Sequence, residues 1–344
     1  MPKKTMEKFL FAAAILTALA LGGCGGEKSP KTAGQDGRNA EGYFVLRAVN
    51  PLNANETPVG HVLGFFREEG IEIEFIGTTE KGVTDFQLLD MKQIDFAASG
   101  HPPELARAIL TGAKLKAVAS GMVDNPDIPH VRYLVREDSP IKTLDDIVGK
   151  KVGLRSVGAC QNGYLQYYLK NRGLDPEGVE FIIFGSPGLA EQSISLGVTD
   201  LVAGHPPYAE KVFAAGGVRE VARSWDIFHS PGAGVSIRSV REELIEQHPE
   251  VVQGLVNALY KTRLWMNAHP EETKDVLAEW IGIEKGDLST FWYDPNKNID
   301  PSYIDKWFEI SEDLDLWKHG DIYPEDIYTN AFVPKDIDED WAKR

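Results

Sequence analysis

The sequence predicts an α/β protein in which two α/β units follow one another and a helical tail completes the chain. Strand-like and helix-like patterns alternate through the first third of the chain, and the alternation begins again near residue 132. Beyond Arg241 the pattern is helical. A chain of 344 residues, 42% of them hydrophobic, is long enough for two packed domains. We expect the tail to return to the first unit, giving a discontinuous first domain and an inserted second domain.

The first unit opens with a β-α-β pattern. Residues 43–49 form a strand-like run, residues 59–70 have helical spacing that stops at a glycine, and residues 71–76 alternate with a period of two. The elements that follow are a helix at 87–92, a strand at 94–98, a helix at 103–111 that starts on proline, and a strand at 115–119. This alternation is typical of a largely parallel sheet with helices on both faces.

The second unit repeats the pattern, and the tail adds helices. The predicted strands of the second unit lie at 132–135, 151–154, 179–184 and 201–203, and its predicted helices at 144–148, 162–172, 189–196 and 207–215. The predicted tail helices lie at 249–264, 271–280 and 303–316. The tail needs a surface on which to dock, and we expect the first unit to provide it.

Charge and cysteine content exclude several classes of protein. Lys and Arg number 36 against 52 Asp and Glu, a formal net charge of −16, whereas a nucleic-acid binder needs a basic surface. Cys24 and Cys160 are the two cysteines, so the sequence contains no disulfide framework and no cysteine-rich zinc cluster. We expect Cys160 to pack as a small apolar side chain; the alternative is a reactive thiol.

The amino terminus has the features of an export signal. Three lysines precede the apolar run 9–21, which is too short to span a bilayer and is typical of a secretory signal. The run ends in Leu21-Gly22-Gly23-Cys24, which resembles the lipobox of bacterial lipoproteins, where the cysteine takes a lipid such as diacylglycerol and palmitate. We therefore expect a lipoprotein signal peptide over 1–23 and a flexible tether over 24–42; the alternative is a cleaved signal with Cys24 nearby by chance.

One four-residue motif occurs twice. Gly100-His101-Pro102-Pro103 and Gly204-His205-Pro206-Pro207 each follow a predicted buried strand and precede a predicted helix. Ligands of open α/β sheets bind beyond the carboxyl ends of strands, where helix amino termini offer free N–H groups. The repeat therefore predicts a cleft with one loop from each unit. The alternative is that the prolines only start helices and the histidines are solvated.

Several segments together resemble the solute-binding lipoproteins of ABC importers that take nitrate, taurine, aliphatic sulfonates or thiamine-type pyrimidines. The segments that carry the resemblance are 64–73, 95–103, 115–119, 141–153, 248–252 and 267–272. Their order and spacing extend over residues 43–335. The resemblance implies a periplasmic-binding-protein type II-like fold, in which two lobes of mixed sheets flanked by helices close on a ligand cleft.

This resemblance also implies boundaries, partners and a location. The implied parts are lobe 1 over 43–131 plus 236–340, lobe 2 over 132–235, and crossover strands near 130–135 and 231–237. The implied partners are a small-molecule solute, an ABC permease and its ATPase, without catalysis or a cofactor. We expect a monomer that is lipid-anchored through Cys24, either on the outer face of the cell membrane or in the periplasm.

Carried onto this sequence, the family's ligand loops fall on Asn53, Asn55, Gly100, His101, Pro102, Ser156, Cys160, Gln161, Asn162, Gly185, Ser186, Gly204, His205 and Pro206. Members of the family often carry Trp-Glu-Pro where His205-Pro206 stands, and a Ser/Thr pair where Ala159-Cys160 stands. These departures bear on the identity of the ligand rather than on the fold.

The side chains favour an anion as the first choice of ligand. Arg155 beside Ser156, Gln161 and Asn162 can donate to a sulfonate or a related anion, although Arg155 can equally be a surface charge. The second choice is an aromatic heterocycle held by rings drawn from Trp225, Tyr164 and Phe65, each of which can instead fill the core. A metal bound by His101, His205 and Cys160 is set aside because no local ligand pair accompanies them.

Three functions follow, and the sequence does not separate the first two. The first is capture of a solute for an importer, and the second is a ligand sensor for a membrane receptor with the same fold. An extracellular enzyme ranks last, because the chain contains no nucleophile elbow, Walker loop, dinucleotide fingerprint or His-Glu-x-x-His motif.

Overall fold

The computed structural model describes residues 36–77, 83–155, 159–185 and 188–335, together with residues 337 and 342. The strands are β1 (Phe44–Val49), β2 (Ile71–Ile76), β3 (Phe96–Ala97), β4 (Leu115–Ser120), β5 (Met122–Val123), β6 (Arg132–Arg136), β7 (Lys151–Leu154), β8 (Glu180–Ile183), β9 (Leu201–Gly204), β10 (Val218–Arg223), β11 (Ile237–Arg241) and β12 (Trp292–Tyr293). Lipidation of Cys24, the signal peptide and most of the tether fall outside the described residues.

The helices alternate with these strands and then form the carboxyl-terminal third. They are α1 (Glu56–Val62), α2 (Phe65–Glu68), α3 (Asp85–Asp90), α4 (Pro102–Leu110), α5 (Tyr164–Asn171), α6 (Leu189–Ser195), α7 (Tyr208–Ala214), α8 (Ser224–Phe228), α9 (Glu242–Gln247), α10 (Pro249–Ala268), α11 (Pro270–Ile281), α12 (Pro301–Asp313) and α13 (Pro324–Ile327). Within the described residues, no helix has the length and apolar character that crossing a membrane requires.

Two groups of strands make the sheets. In the first group β1 pairs with β2 in parallel, and β11 lies between β3 and β4, antiparallel to both. The second group is a five-stranded mixed sheet in the order β10-β6-β9-β7-β8. All of its strands come from residues 132–223, whereas β11 returns to strands that precede residue 121. The mixed α/β architecture is therefore confirmed, while the lobe boundaries at 131/132 and 235/236 stay a prediction.

The first predicted helix, 59–70, is wrong as a single element. It is broken into α1 and α2 by Gly64, whose φ of 80° lies in the left-handed region that favours glycine. The sheet is also more mixed than strand-helix alternation suggests, because β6 and β11 pair antiparallel to their neighbours. The crossover strand predicted near 231–237 is displaced, because Pro231–Gly234 forms a 3-10 turn and β11 begins only at Ile237.

The tail helices bury their apolar faces against both strand groups. Val252, Leu255 and Leu259 of α10 pack with the side chains of β1 and β2. Trp307 of α12 belongs to the cluster that covers the five-stranded sheet, and its ring stacks on Tyr164 with centroids 5.0 Å apart. The carboxyl-terminal helices are thus part of the core rather than an appendage.

A fully buried ion pair joins α1 to β11. The guanidinium of Arg238 donates through Nε and Nη2 to the two oxygens of Glu56, each at 2.6 Å, and both side chains are 0% exposed. Arg238 Nη1 also donates to Ser236 Oγ at 3.0 Å. Position 121 must be glycine, because a Cβ there would overlap the guanidinium. A buried bidentate pair of this kind is costly to break on one side.

We expect Glu56→Gln to lower the free energy of unfolding by about 3–5 kcal/mol, because it leaves the Arg238 charge buried without a counter-charge. Urea unfolding followed by circular dichroism measures the change. The matched control is Glu72→Gln, which breaks the ion pair with Arg67, a side chain that is 45% exposed. This variant should lower the free energy of unfolding by less than about 1 kcal/mol. Equal losses in the two variants would contradict this role of the buried pair.

Candidate functional site

A cavity of about 180 Å³ opens where strands of the two groups end. The loops after β1, β3, β7 and β9 all contribute to its wall, as expected for a ligand site at the carboxyl ends of strands. Its lining residues are Asn53, Val83, Thr84, Asp85, Phe86, Ser99, Gly100, His101, Glu104, Met122, His130, Arg155, Cys160, Gln161, His205, Ser236 and Phe291.

Seven of the side chains or glycines expected from the sequence line this cavity, namely Asn53, Gly100, His101, Arg155, Cys160, Gln161 and His205. Six others lie outside the lining, namely Pro102, Asn162, Gly185, Gly204, Pro206 and Trp225. Ser156 and Ser186 lie outside the described residues. Of the rings proposed to hold a heterocycle, Tyr164 and Phe65 are buried in the core.

Asn55 does not line the cavity and instead stabilises the local backbone. It is fully buried at the start of α1, where its Oδ1 accepts from the backbone N–H of Thr57 at 2.8 Å. Its Nδ2 donates to the backbone carbonyl of Ala98 at 3.0 Å, next to the loop that carries Gly100. Asn55 therefore caps a helix and ties it to the strand beneath the cavity.

The first Gly-His-Pro-Pro loop positions His101. Its Nδ1 lies 2.7 Å from the carbonyl oxygen of Val235, and since a carbonyl only accepts, Nδ1 carries the proton. Its backbone N–H donates to Glu104 Oε2 at 3.0 Å at the start of α4. Gly100 has a φ of 138°, and a Cβ there would overlap the Phe86 ring. His101 is thus held in the tautomer whose Nε2 carries a free lone pair.

The second loop positions His205 beside Cys160. The His205 backbone N–H donates to Glu191 Oε1 at 3.3 Å, and its Nε2 lies 3.3 Å from Cys160 Sγ. Gln161 anchors the neighbouring turn, since its Oε1 accepts from the backbone of Arg155 and its Nε2 donates to the carbonyl of Ala203. The motif repeat therefore does place two histidines at one cavity.

A third histidine, His130, completes this wall and was missed by the sequence motifs. The ligand atoms of His101, His130 and Cys160 lie within 4.8 Å of one another. The ring centroids of His130 and His205 are 4.9 Å apart. In the sequence, His130 lies at the crossover predicted near 130–135, but no recognisable motif surrounds it.

Burial favours the neutral forms of the three histidines and of Cys160. It lowers the pKa of His205 to about 3, lowers that of His101, and lowers that of His130 well below the usual value. Burial also raises the pKa of the Cys160 thiol. The three imidazoles are therefore neutral at physiological pH, and the thiol keeps its proton.

The lining also contains charged and titratable groups. Burial first, and the nearby Glu104 carboxylate second, raise the pKa of Asp85 to about 7, although Arg238 and Arg155 oppose the shift. The Arg155 guanidinium makes no hydrogen bond or ion pair with any described residue, although its charge acts on Asp85, His205 and Glu191. An entering anion would thus meet a cation that has no partner in the described structure.

Comparison with known proteins matches residues 57–273 to the family model described as NMT1/THI5 like. A protein of Escherichia coli (strain K12) assigned to aliphatic sulfonate binding is 25% identical over 258 residues, which cover 73% of this chain and 73% of that protein. The 2'-hydroxybiphenyl-2-sulfinate desulfinase of Rhodococcus erythropolis is 22% identical over 271 residues, covering 65% of this chain and 72% of the enzyme.

Among solved structures, the periplasmic aliphatic sulphonate binding protein of Escherichia coli superposes with a TM-score of 0.65 at 19% identity. The match covers 86% of this chain and 94% of that one. The periplasmic-binding-protein fold expected from the sequence is therefore confirmed.

We expect Asp85→Asn to stabilise the protein increasingly as the pH rises from about 4 to 7. The folded pKa of Asp85 is raised from 3.8 to about 7, so ionising this carboxyl costs stability above pH 4, and the cost is complete above pH 7. Asparagine removes that cost and keeps an acceptor for the Ser99 backbone. Urea unfolding of both proteins between pH 4 and 8 measures the difference, and a difference independent of pH would contradict the raised pKa.

Proposed function

Because this chain belongs to the NMT1/THI5-like family, we propose that it is the extracytoplasmic solute-binding component of an ABC importer. The observation that carries the proposal is Arg155, a cation without a partner in the described structure that faces a cavity built by both strand groups. A ligand that touches both groups favours the closed arrangement, since only that arrangement offers all the contacts.

The proposed ligand is a small sulfonate. Its three oxygens need donors, and Arg155 supplies a planar fork of N–H groups while Asn53, also in the lining, adds an amide. Asp85 supplies one more donor when protonated. The neutral His101 offers an acceptor rather than a donor, because its Nδ1 proton is used by Val235. The sulfonate-binding relatives support this ligand class.

The proposal includes a lipid on Cys24 and a tether over 24–42, which would hold the binding protein near a permease and its ATPase. It also includes action as a monomer. The support is the lipobox-like run before Cys24 and the periplasmic location named for the structural relative. A receptor in place of the permease would make the same fold a sensor.

A second candidate function, removal of a sulfinate group, is favoured by one contact. Cys160 Sγ and His205 Nε2 are 3.3 Å apart in the cavity, as in a nucleophile and its base, and a desulfinase is among the relatives. However, burial raises the pKa of Cys160 and lowers that of His205, so the neutral pair is favoured over thiolate and imidazolium. We therefore place binding before turnover.

Prolonged incubation with aromatic sulfinates separates the two functions. We expect mass spectrometry to recover the sulfinate unchanged, because the thiol of Cys160 stays protonated. Cys160→Ser is the control for any background reaction. Product formation that depends on Cys160 would establish the enzyme and displace the binding proposal.

We expect Arg155→Gln to weaken alkanesulfonate binding by at least about tenfold, because charge-assisted hydrogen bonds contribute roughly 1.5–3 kcal/mol each. Isothermal titration calorimetry with ethanesulfonate and taurine measures the affinity. The matched control is Arg107→Gln, which changes an exposed arginine on α4 outside the cavity and should leave the affinity unchanged. Equal affinities of the wild type and Arg155→Gln would contradict the assignment.

We also expect alkanesulfonate to bind more weakly as the pH rises through about 7. Deprotonation of Asp85 places a negative charge beside the anion and removes a donor. The pH dependence between 6 and 8 should be lost in Asp85→Asn, which is neutral throughout. A variant that keeps the full pH dependence would show that another group controls it.

A further inference from the structure

Four side chains with nitrogen or sulfur donors converge at the neutral wall of the cavity. The ligand atoms of His101, His130 and Cys160 lie within 4.8 Å of one another, and His205 Nε2 is 3.3 Å from Cys160 Sγ. They come from segments far apart in the chain, so no local spacing in the sequence reveals the group.

The ring nitrogens of His130 give an independent indication that an ion binds beside these side chains. His130 is 2% exposed, yet neither ring nitrogen has a hydrogen-bond partner among the described residues. An unsatisfied buried polar atom costs about 1–3 kcal/mol, and native proteins carry few of them. A bound ion would accept the lone pair of one nitrogen.

His101 is already arranged as metal-bound histidines are. Its Nδ1 donates to the Val235 carbonyl, which leaves the Nε2 lone pair available. Ligating histidines almost always donate their other ring N–H to a carbonyl or carboxylate in this way. The Ile237 backbone N–H donates to the carbonyl of Gly100 at 2.9 Å and holds the two loops together.

The spacing of Cys160 and His205 also suits a shared ion. Sulfur and nitrogen bound to one tetrahedral zinc at about 2.3 and 2.1 Å lie roughly 3.6 Å apart. The observed separation of 3.3 Å is already close to this. Two nitrogens bound to one tetrahedral zinc at about 2.1 Å lie roughly 3.4 Å apart. The ligand atoms of His101, His130 and Cys160, which lie within 4.8 Å of one another, must therefore approach by up to about 1.4 Å to bind one ion.

We propose that His101, His130, Cys160 and His205 bind a single Zn²⁺ ion. Three imidazoles and a thiolate match the ligand preference of zinc and exclude Mg²⁺ and Ca²⁺, which prefer oxygen. On binding, a zinc–sulfur bond forms and the Cys160 thiol releases its proton to solvent, so the site gains one net positive charge. The inference does not rest on the proposed function, since it needs only these four side chains.

The test uses the full chain, stripped of metal with a chelator and dialysed against Zn²⁺ or Co²⁺. We expect one equivalent of zinc by elemental analysis, and for cobalt a thiolate charge-transfer band together with the strong visible bands of tetrahedral geometry. Cys160→Ser should abolish the charge-transfer band. His130→Ala should weaken zinc binding by at least about tenfold, and His205→Ala likewise.

Two control variants separate the site from adventitious binding. Cys24→Ser removes the other cysteine, and His319→Ala removes a histidine whose side chain is 84% exposed; both should keep the band and the affinity. Circular dichroism melts verify that each variant is folded, and His130→Gln is the second variant if His130→Ala is not. Failure to retain zinc, or a cobalt band that survives Cys160→Ser, would overturn the proposal.

Titration of the metal-free protein with alkanesulfonate distinguishes a failure of the metal site from a failure of the proposed importer function. Sulfonate binding without zinc binding would overturn the metal site alone. Zinc binding without sulfonate binding would support the metal site and overturn the proposed ligand.

Discussion

The buried pair of Glu56 and Arg238 is the contact around which the cavity is organised. It fixes the first residue of α1 to β11, the strand that returns the chain from the five-stranded sheet. Next along the chain, Ile237 donates to the carbonyl of Gly100, and Val235 accepts from His101. Because two fully buried charges must remain paired, this junction tolerates little displacement, and the loop that carries His101 is held with it.

The cavity combines two environments that would not form at the protein surface. One wall holds neutral imidazoles and a protonated thiol, because burial disfavours their charged forms. The same lining holds Arg155 and Asp85, whose pKa is raised to about 7. The proposed anion and the proposed Zn²⁺ ion would therefore use different donors in the same cavity.

The family predicted from the sequence is confirmed, and its fold hosts more than one function. A fold alone does not decide between binding and turnover, since the site residues do. Here Cys160 and His205 stand at the distance of a nucleophile and a base, yet their burial favours the neutral pair. The same neutral pair keeps its lone pairs available to a metal ion.

The sequence by itself determined the succession of strands and helices and the position of two histidine loops at strand ends. These are local properties, set by hydrophobic periodicity and by prolines that start helices such as α4 and α10. Only the tertiary structure showed that His130 lines the cavity and that Asn55 caps a helix instead of lining the cavity. It also inserted β11 between β3 and β4. Those outcomes depend on packing and burial between segments far apart in the chain, which no local pattern records.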